Sequence, residues 1–228
     1  MAVDEALLES AGETGVPALR FYSWSEPTLS LGYFQRMADR QLHLPSIDCA
    51  LVRRATGGGA ILHDQEFTYS LAIPANLPAA KIPEALYDLV HLALIEVLKV
   101  RDVDAFICEG ADSTKAERFL CFERRAKGDV LLDGWKIGGS AQRRHKSAVL
   151  QHGSILLAKS RYSPELPGIL EVGGRSIDPS ELTTQLFTRL GQLLGFHWVE
   201  NSLAPESLSR AFQICQEKFA NPSWNLRR

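Results

Sequence analysis

The chain has 228 residues, 45% of them hydrophobic, and a formal net charge of -2. That is enough to bury a sizeable core, and one domain over residues 1–228 is expected. The near balance of charge offers no field for a polyanion, so nucleic-acid binding is not expected. The most apolar stretch, Leu86 to Val100, is broken by Asp88, His91 and Glu96. It falls short of the roughly 20 residues that span a bilayer, so no membrane partner is expected.

In chain order, Met1 to Ala11 suits an opening helix, with Ala6, Leu7 and Leu8 among acidic neighbours. No basic region precedes an apolar run there, as a secretory signal would require. Ala18 to Tyr22, Thr28 to Gly32, Ala50 to Arg53 and Phe67 to Ile73 are short strands bounded by turn formers, the last closed by Pro74. Pro83 to Lys99 repeats Leu86, Leu89, Val90, Ala93, Leu94, Val97 and Leu98 at helical spacing behind a first-turn proline. Asp129 to Leu132 and Trp135 to Gly138 flank Asp133-Gly134, a strong hairpin signal, and Val149 to Leu156 is a further strand. Pro179 to Leu194 and Pro205 to Phe219 are helices, with Ser180-Glu181 and Ser202 as capping candidates. Strands mixed with separate helices predict an α+β fold with a central mixed, mainly antiparallel sheet flanked by helices.

Cys49, Cys108, Cys121 and Cys215 are widely separated and form no CxxC pair. That argues against a zinc or redox site and suits a reducing cytoplasm. No second histidine stands at helical spacing from His63, so no metal site is expected.

The segment Arg53-Arg54-Ala55-Thr56-Gly57-Gly58-Gly59-Ala60-Ile61-Leu62-His63-Asp64 strips side chains from a backbone with apolar residues on both sides. Such a turn can aim amide hydrogens at an anion or a carbonyl. Its spacing fits neither the dinucleotide fingerprint nor the Walker phosphate loop. A tight hairpin turn would explain the triplet equally well. The two readings differ at Gly58→Val: a ligand cradle would lose binding with little change in stability, whereas a positive-φ turn would lose stability.

Further along stand Asp133-Gly134-Trp135-Lys136-Ile137-Gly138-Gly139-Ser140-Ala141-Gln142 and then Gln151-His152-Gly153-Ser154-Ile155-Leu156. From about Ser23 to Leu157 the three blocks together resemble the lipoate-protein ligase, octanoyltransferase and biotin ligase superfamily. The resemblance implies that superfamily's catalytic-domain fold, a mixed sheet with helices against it. It also implies that Lys136 contacts the acyl carbonyl and, in ligases, the activated phosphate. Biotin ligation is disfavoured, because the Gly-Arg-Gly-Arg step usual for it is missing. A binding module that has lost catalysis is disfavoured by the presence of Lys136.

Cys121 lies fifteen positions before Lys136 in a Cys-Phe step. Between Leu120 and Phe122 it suits a small buried hydrophobe. The cysteine-dependent octanoyltransferases carry their nucleophile in a similar step upstream of the same lysine, which implies a thioester acyl-enzyme. The implied donor is octanoyl-acyl carrier protein. The implied acceptor is a lysine on the lipoyl domain of a 2-oxoacid dehydrogenase or on the glycine-cleavage carrier protein, with no cofactor. The alternative is a ligase using ATP and magnesium through an acyl-adenylate. Gly57-Gly58-Gly59 favours it, since octanoyltransferases often have Gly-Gly-Arg there; the loose Lys127-Gly128-Asp129-Val130 step and a chain ending at Arg228 without a further domain favour the transferase.

The remaining candidates are binding groups. Arg53 and Arg54 can neutralise a carboxylate or phosphate or shield a strand edge, with a binding role expected for at least one. His63 can orient substrate or contact the carrier, or be a core histidine satisfied by Asp64. His152 with Gly153, and Gly138, Gly139, Ser140, Ala141 and Gln142, are expected around the acyl chain.

Overall fold

The computed structural model describes residues 1–111, 118–145 and 147–227, so Arg228 lies outside it. An opening helix α1 (Ala2–Thr14) ends in a left-handed Gly15. A six-stranded sheet follows, built from β1 (Ala18–Tyr22), β5 (Glu66–Pro74), β9 (Ala148–Leu156), β8 (Trp135–His145), β7 (Val130–Leu132) and β6 (Phe106–Ile107), in that order and antiparallel throughout. A second sheet has β2 (Thr28–Leu31) between β3 (Ala50–Arg53), parallel to it, and β4 (Ile61–His63), antiparallel. The fold is therefore α+β with a mixed, mainly antiparallel sheet content.

Successive side chains on a strand face opposite sides, and the large sheet uses both. Phe67, Tyr69, Leu71 and Ile73 of β5 pack with Val149 and Ile155 of β9 against the apolar stripes of α3 (Pro83–Lys99), which follows the short α2 (Pro78–Lys81), and α5 (Pro179–Leu194). In α5 the buried stripe is Leu182, Leu186 and Leu190, every fourth residue. On the other face Ala72, Ala148 and Leu150 receive Leu8 and Ala11 of α1. Further along that face the small sheet covers the strands, with Leu29, Leu31 and Leu62 packed onto Leu156.

Several local expectations change. The strand expected to stop at Gly138 continues to His145, because its second half, from Gly138 on, pairs antiparallel with β9, and its glycines make room for neighbours. A Cβ on Gly138 would stand 3.1 Å from that of Val130. The cap of α5 is Asp178, whose carboxylate accepts from the Ser180 amide at 2.7 Å, and α6 (Pro205–Ile214) starts without a side-chain cap at Ala204. After Ile214 the chain passes through a π-turn, Cys215–Phe219, into α7 (Pro222–Asn225). Among the described residues, the short elements that carried no sequence signal include β4, β6, the one-turn α4 (Ile169–Gly173) and the 3-10 turns Met37–Leu42, Leu44–Ser46 and Cys121–Glu123.

Candidate active site

Between the two sheets lies a cavity of about 230 Å³. Cys121 lines it, and backbone pairing holds it there. The Ala60 amide donates to the Phe119 carbonyl at 2.9 Å, and the Cys121 amide donates back to the Ala60 carbonyl at 2.7 Å. This close approach explains Gly59, where a Cβ would stand 2.9 Å from the Cys121 nitrogen. Gly58 has a different role: it takes φ +95° and brings bare backbone to the cavity, its Cβ position 3.9 Å from the Cys121 sulphur. The ligand-cradle and positive-φ readings of the triplet therefore meet in one residue, and the expectation that Gly58→Val would spare stability is withdrawn.

Lys136 arrives from the opposite sheet. Asp133 at φ 45° and Gly134 at φ 79° make the tight turn between β7 and β8, and Lys136 follows at once. Its ammonium lies 2.8 Å from Asp129 Oδ2 and 3.8 Å from Cys121 Sγ. Both partners of the ion pair are almost fully buried. Burial pushes the Lys136 ammonium down, but the charges of a Cys121 thiolate and of Asp129 outweigh it, so its pKa rises. Asp129 is itself held by the Ala126 amide at 2.7 Å and the Tyr87 hydroxyl at 3.1 Å. A Cβ on Gly139 would meet Lys136 Cε at 2.7 Å, so that glycine leaves space for the lysine stem.

The arginine pair divides its tasks. Arg54 lines the cavity, and its terminal nitrogens donate to the carbonyls of Ser30, Gly57 and Gly59, bracing the glycine turn. Burial pushes it down to about 10, still a cation at neutral pH. Arg53 does not line the cavity. Fully buried, it donates to the carbonyls of Gly32, Gln35, Asn225 and Arg227 and ties the C-terminal segment to β3.

Of the remaining candidates, Gly57, His63, Ser140, Ala141, His152 and Gly153 border the cavity with Gly139, whereas Gly138 and Gln142 do not. Gln142 instead donates to Gln151 Oε1 at 2.7 Å. His63 is paired with Glu66, at 3.2 Å, and not with Asp64, which accepts from Ser160. His152 Nε2 lies 2.9 Å from Thr56 Oγ1. Burial pushes its pKa down to about 4, with Asp4 opposing and Arg54 assisting.

Sequence reasoning did not assign Met1, Tyr22, Trp24, Ile61, Thr68, Phe122 and Ser154 to the site, and these complete the wall. Nor did it find the buried relay behind Ser140. Gln151 donates to the Tyr69 hydroxyl at 2.9 Å, Tyr69 and Ser140 are 2.5 Å apart, and Ser140 meets His91 Nε2 at 2.6 Å. Of these, polar residues inside apolar strand and helix patterns, such as Gln151 and His91, were the available signal.

Comparison with known proteins matches residues 1–178 to the lipoyl protein ligase A/B catalytic domain. The chain belongs to that family. Membership makes it an enzyme of the acyltransferase and ligase class. It is 32% identical over its whole length to octanoyltransferase LipM of Brevibacillus brevis, covering 94% of that protein. It is 41% identical to LipM of Oceanobacillus iheyensis over 69% of this chain and 59% of that one. Its fold matches a bipartite lipoate protein ligase from Thermoplasma acidophilum at TM-score 0.78 and 21% identity, covering 100% of this chain and 91% of that one. It also matches a lipoate-protein ligase A bound with ATP at TM-score 0.77 and 21% identity, covering 99% and 92%.

The family's ATP-bound member makes a nucleotide and magnesium worth testing against the residues present. The carboxylate nearest Lys136 is Asp129, and its oxygens already face Lys136, the Ala126 amide and the Tyr87 hydroxyl. The terminal nitrogens of Arg54 are directed at carbonyls. Among the described residues no group of three or more His, Cys, Asp or Glu gathers as metal ligands. No helix among the described residues is long and apolar enough to cross a membrane.

Proposed function

We propose that this chain is a single-domain octanoyltransferase. It takes an octanoyl (or lipoyl) group from the thioester of an acyl carrier protein onto Cys121 and delivers it to the acceptor lysine of a lipoyl domain, of a 2-oxoacid dehydrogenase or a glycine-cleavage carrier. The observation that carries the reading is a cysteine sulphur at the wall of a mainly apolar cavity with a buried ammonium 3.8 Å away. Full-length similarity to octanoyltransferases supports it.

The thiolate is the nucleophilic form of cysteine, and Lys136 offers it a counter-charge. Cys121 Sγ attacks the donor carbonyl, the bond from that carbonyl to the carrier sulphur breaks, and the proton from Cys121 leaves on the carrier thiol. One thioester replaces another, so no nucleotide is required. The Lys136 ammonium, fixed by Asp129, also stabilises the oxyanion that develops during attack.

The test is intact mass of the protein after brief exposure to octanoyl-carrier without ATP. One octanoyl adduct is expected, absent in Cys121→Ser. Turnover that requires ATP and survives Cys121→Ser would replace this reading with the adenylate-forming ligase.

A further inference from the structure

Helix α3 buries Leu94 and Leu98 against the sheet, and the same stripe toward its start holds His91 and Tyr87 in place of apolar residues. Tyr87 and His91 stand one turn apart on one face, with their ring centroids 4.3 Å apart. His91 is 1% exposed. A leucine there would need no partner, whereas a buried imidazole needs one for each nitrogen. Nδ1 lies 2.6 Å from the Gly128 carbonyl oxygen, and Nε2 lies 2.6 Å from Ser140 Oγ on the cavity wall.

The sense of these bonds is fixed. A carbonyl only accepts, so Nδ1 carries the hydrogen. Burial pushes the pKa of the imidazole down, which keeps the ring neutral with its lone pair on Nε2. Nε2 then accepts from the Ser140 hydroxyl, Ser140 Oγ accepts from Tyr69, and Tyr69 accepts from the Gln151 amide. The relay ends on the Gly128 carbonyl, which belongs to the peptide bond leading into Asp129. Tyr87 grips the same turn. Its hydroxyl donates to Asp129 Oδ1 at 3.1 Å, and a Cβ on Gly128 would stand 2.8 Å from its ring. Asp129 Oδ2 in turn holds Lys136 Nζ at 2.8 Å, and that ammonium lies 3.8 Å from Cys121 Sγ.

Resting on the transfer reading, in which Lys136 serves Cys121, we propose that His91 is a positioning residue. It holds the Gly128-Asp129 turn and, through Asp129, sets where the Lys136 ammonium stands relative to the Cys121 sulphur. Attraction between an ammonium and a thiolate falls as they separate, so a displaced turn weakens the counter-charge that favours the nucleophilic form. His91 does not line the cavity. Its effect on the sulphur runs through the ion pair.

The experiment reads the sulphur directly. Alkylation by iodoacetamide near neutral pH is followed by peptide mass, so that Cys121 is counted apart from Cys49, Cys108 and Cys215. His91→Phe keeps a ring against Tyr87 and loses both nitrogens. Alkylation of Cys121, and its acylation by octanoyl-carrier, should each slow by about tenfold as the thiolate loses its counter-charge. His91→Asn, with an amide donor in place of Nδ1, should recover most of the rate. Where Lys136→Met and Asp129→Leu are already present, adding His91→Phe should change alkylation no further, because residues acting through one contact are not additive. Wild-type rates in His91→Phe overturn the proposal, and so does equal slowing in both backgrounds, which would mean that His91 only shapes the core. Should His91→Phe not fold, His91→Asn is compared with His91→Gln, whose amide takes the place of Nε2. Alkylation should then be slower in His91→Gln by about tenfold, and equal rates overturn the role. Alkylation that follows this pattern in a protein that takes no octanoyl group would uphold the placement of Lys136 by His91 and sink the transfer reading alone.

Discussion

Lys136 Nζ lies 3.8 Å from Cys121 Sγ and 2.8 Å from Asp129 Oδ2, so one buried ammonium serves both a candidate nucleophile and a fixed carboxylate. The two contacts have opposite consequences for mutagenesis. The sulphur contact bears on the reaction and the carboxylate contact bears on stability.

Lys136→Ala is therefore expected to lose activity by about two to four orders of magnitude, the scale of one electrostatic catalytic group. It should also unfold more easily, by about 3 kcal/mol, because Asp129 is left buried and charged. Lys136→Met combined with Asp129→Leu should recover most of the melting temperature and none of the transfer. Recovery of both would remove Lys136 from the mechanism. Lys136→Arg should rescue only in part, since a planar fork cannot reproduce a point charge.

Within the glycine triplet the positions should respond differently. Gly58→Val forces a β-branched residue to φ +95° and crowds Arg54 Nη2 at 3.0 Å. A loss of about 2 kcal/mol or more is expected together with loss of acyl binding. A Cβ on Gly57 would meet only the Phe34 ring, at 3.6 Å, so Gly57→Ala should melt close to the wild type. Paired melting curves and transfer assays decide; a stable Gly58→Val would contradict the backbone assignment.

Arg53 is expected to act on stability and not on chemistry. Arg53→Met leaves the carbonyls of Gly32, Gln35, Asn225 and Arg227 without their donor. The expected cost is about 2–4 kcal/mol, with transfer retained by whatever protein stays folded. An unchanged melting temperature would show that the C-terminal segment does not brace β3.

His152 predicts a pH dependence. Its folded value of about 4 lies below the ordinary 6.5, so between those values the unfolded chain binds more protons. The stability it contributes is complete above pH 6.5 and is lost as the pH falls toward 4. The ring borders the cavity, where water can screen it, so the loss should be about 1–2 kcal/mol. Melting temperature measured across that window should fall less steeply in His152→Gln, and an unchanged slope would assign the loss to other groups.

Local repetition in the sequence determined the helices Pro83–Lys99 and Pro179–Leu194 to the residue, because their apolar period and first-turn prolines are set by near neighbours. The Asp133-Gly134 turn was legible for the same reason: its two positive φ angles depend on those two residues. The sequence also brought forward Cys121, Lys136 and the glycine run, through motif spacing. Tertiary structure decided which of two adjacent arginines reaches the cavity, since neighbours at the end of a strand point to opposite sides. It carried β8 past its glycines, because the ladder with β9 outweighs their low strand preference. It also brought Trp24, His63, Glu66 and Thr68 into one cluster. Their alignment depends on how two sheets face each other, a long-range relation that local periodicity does not encode.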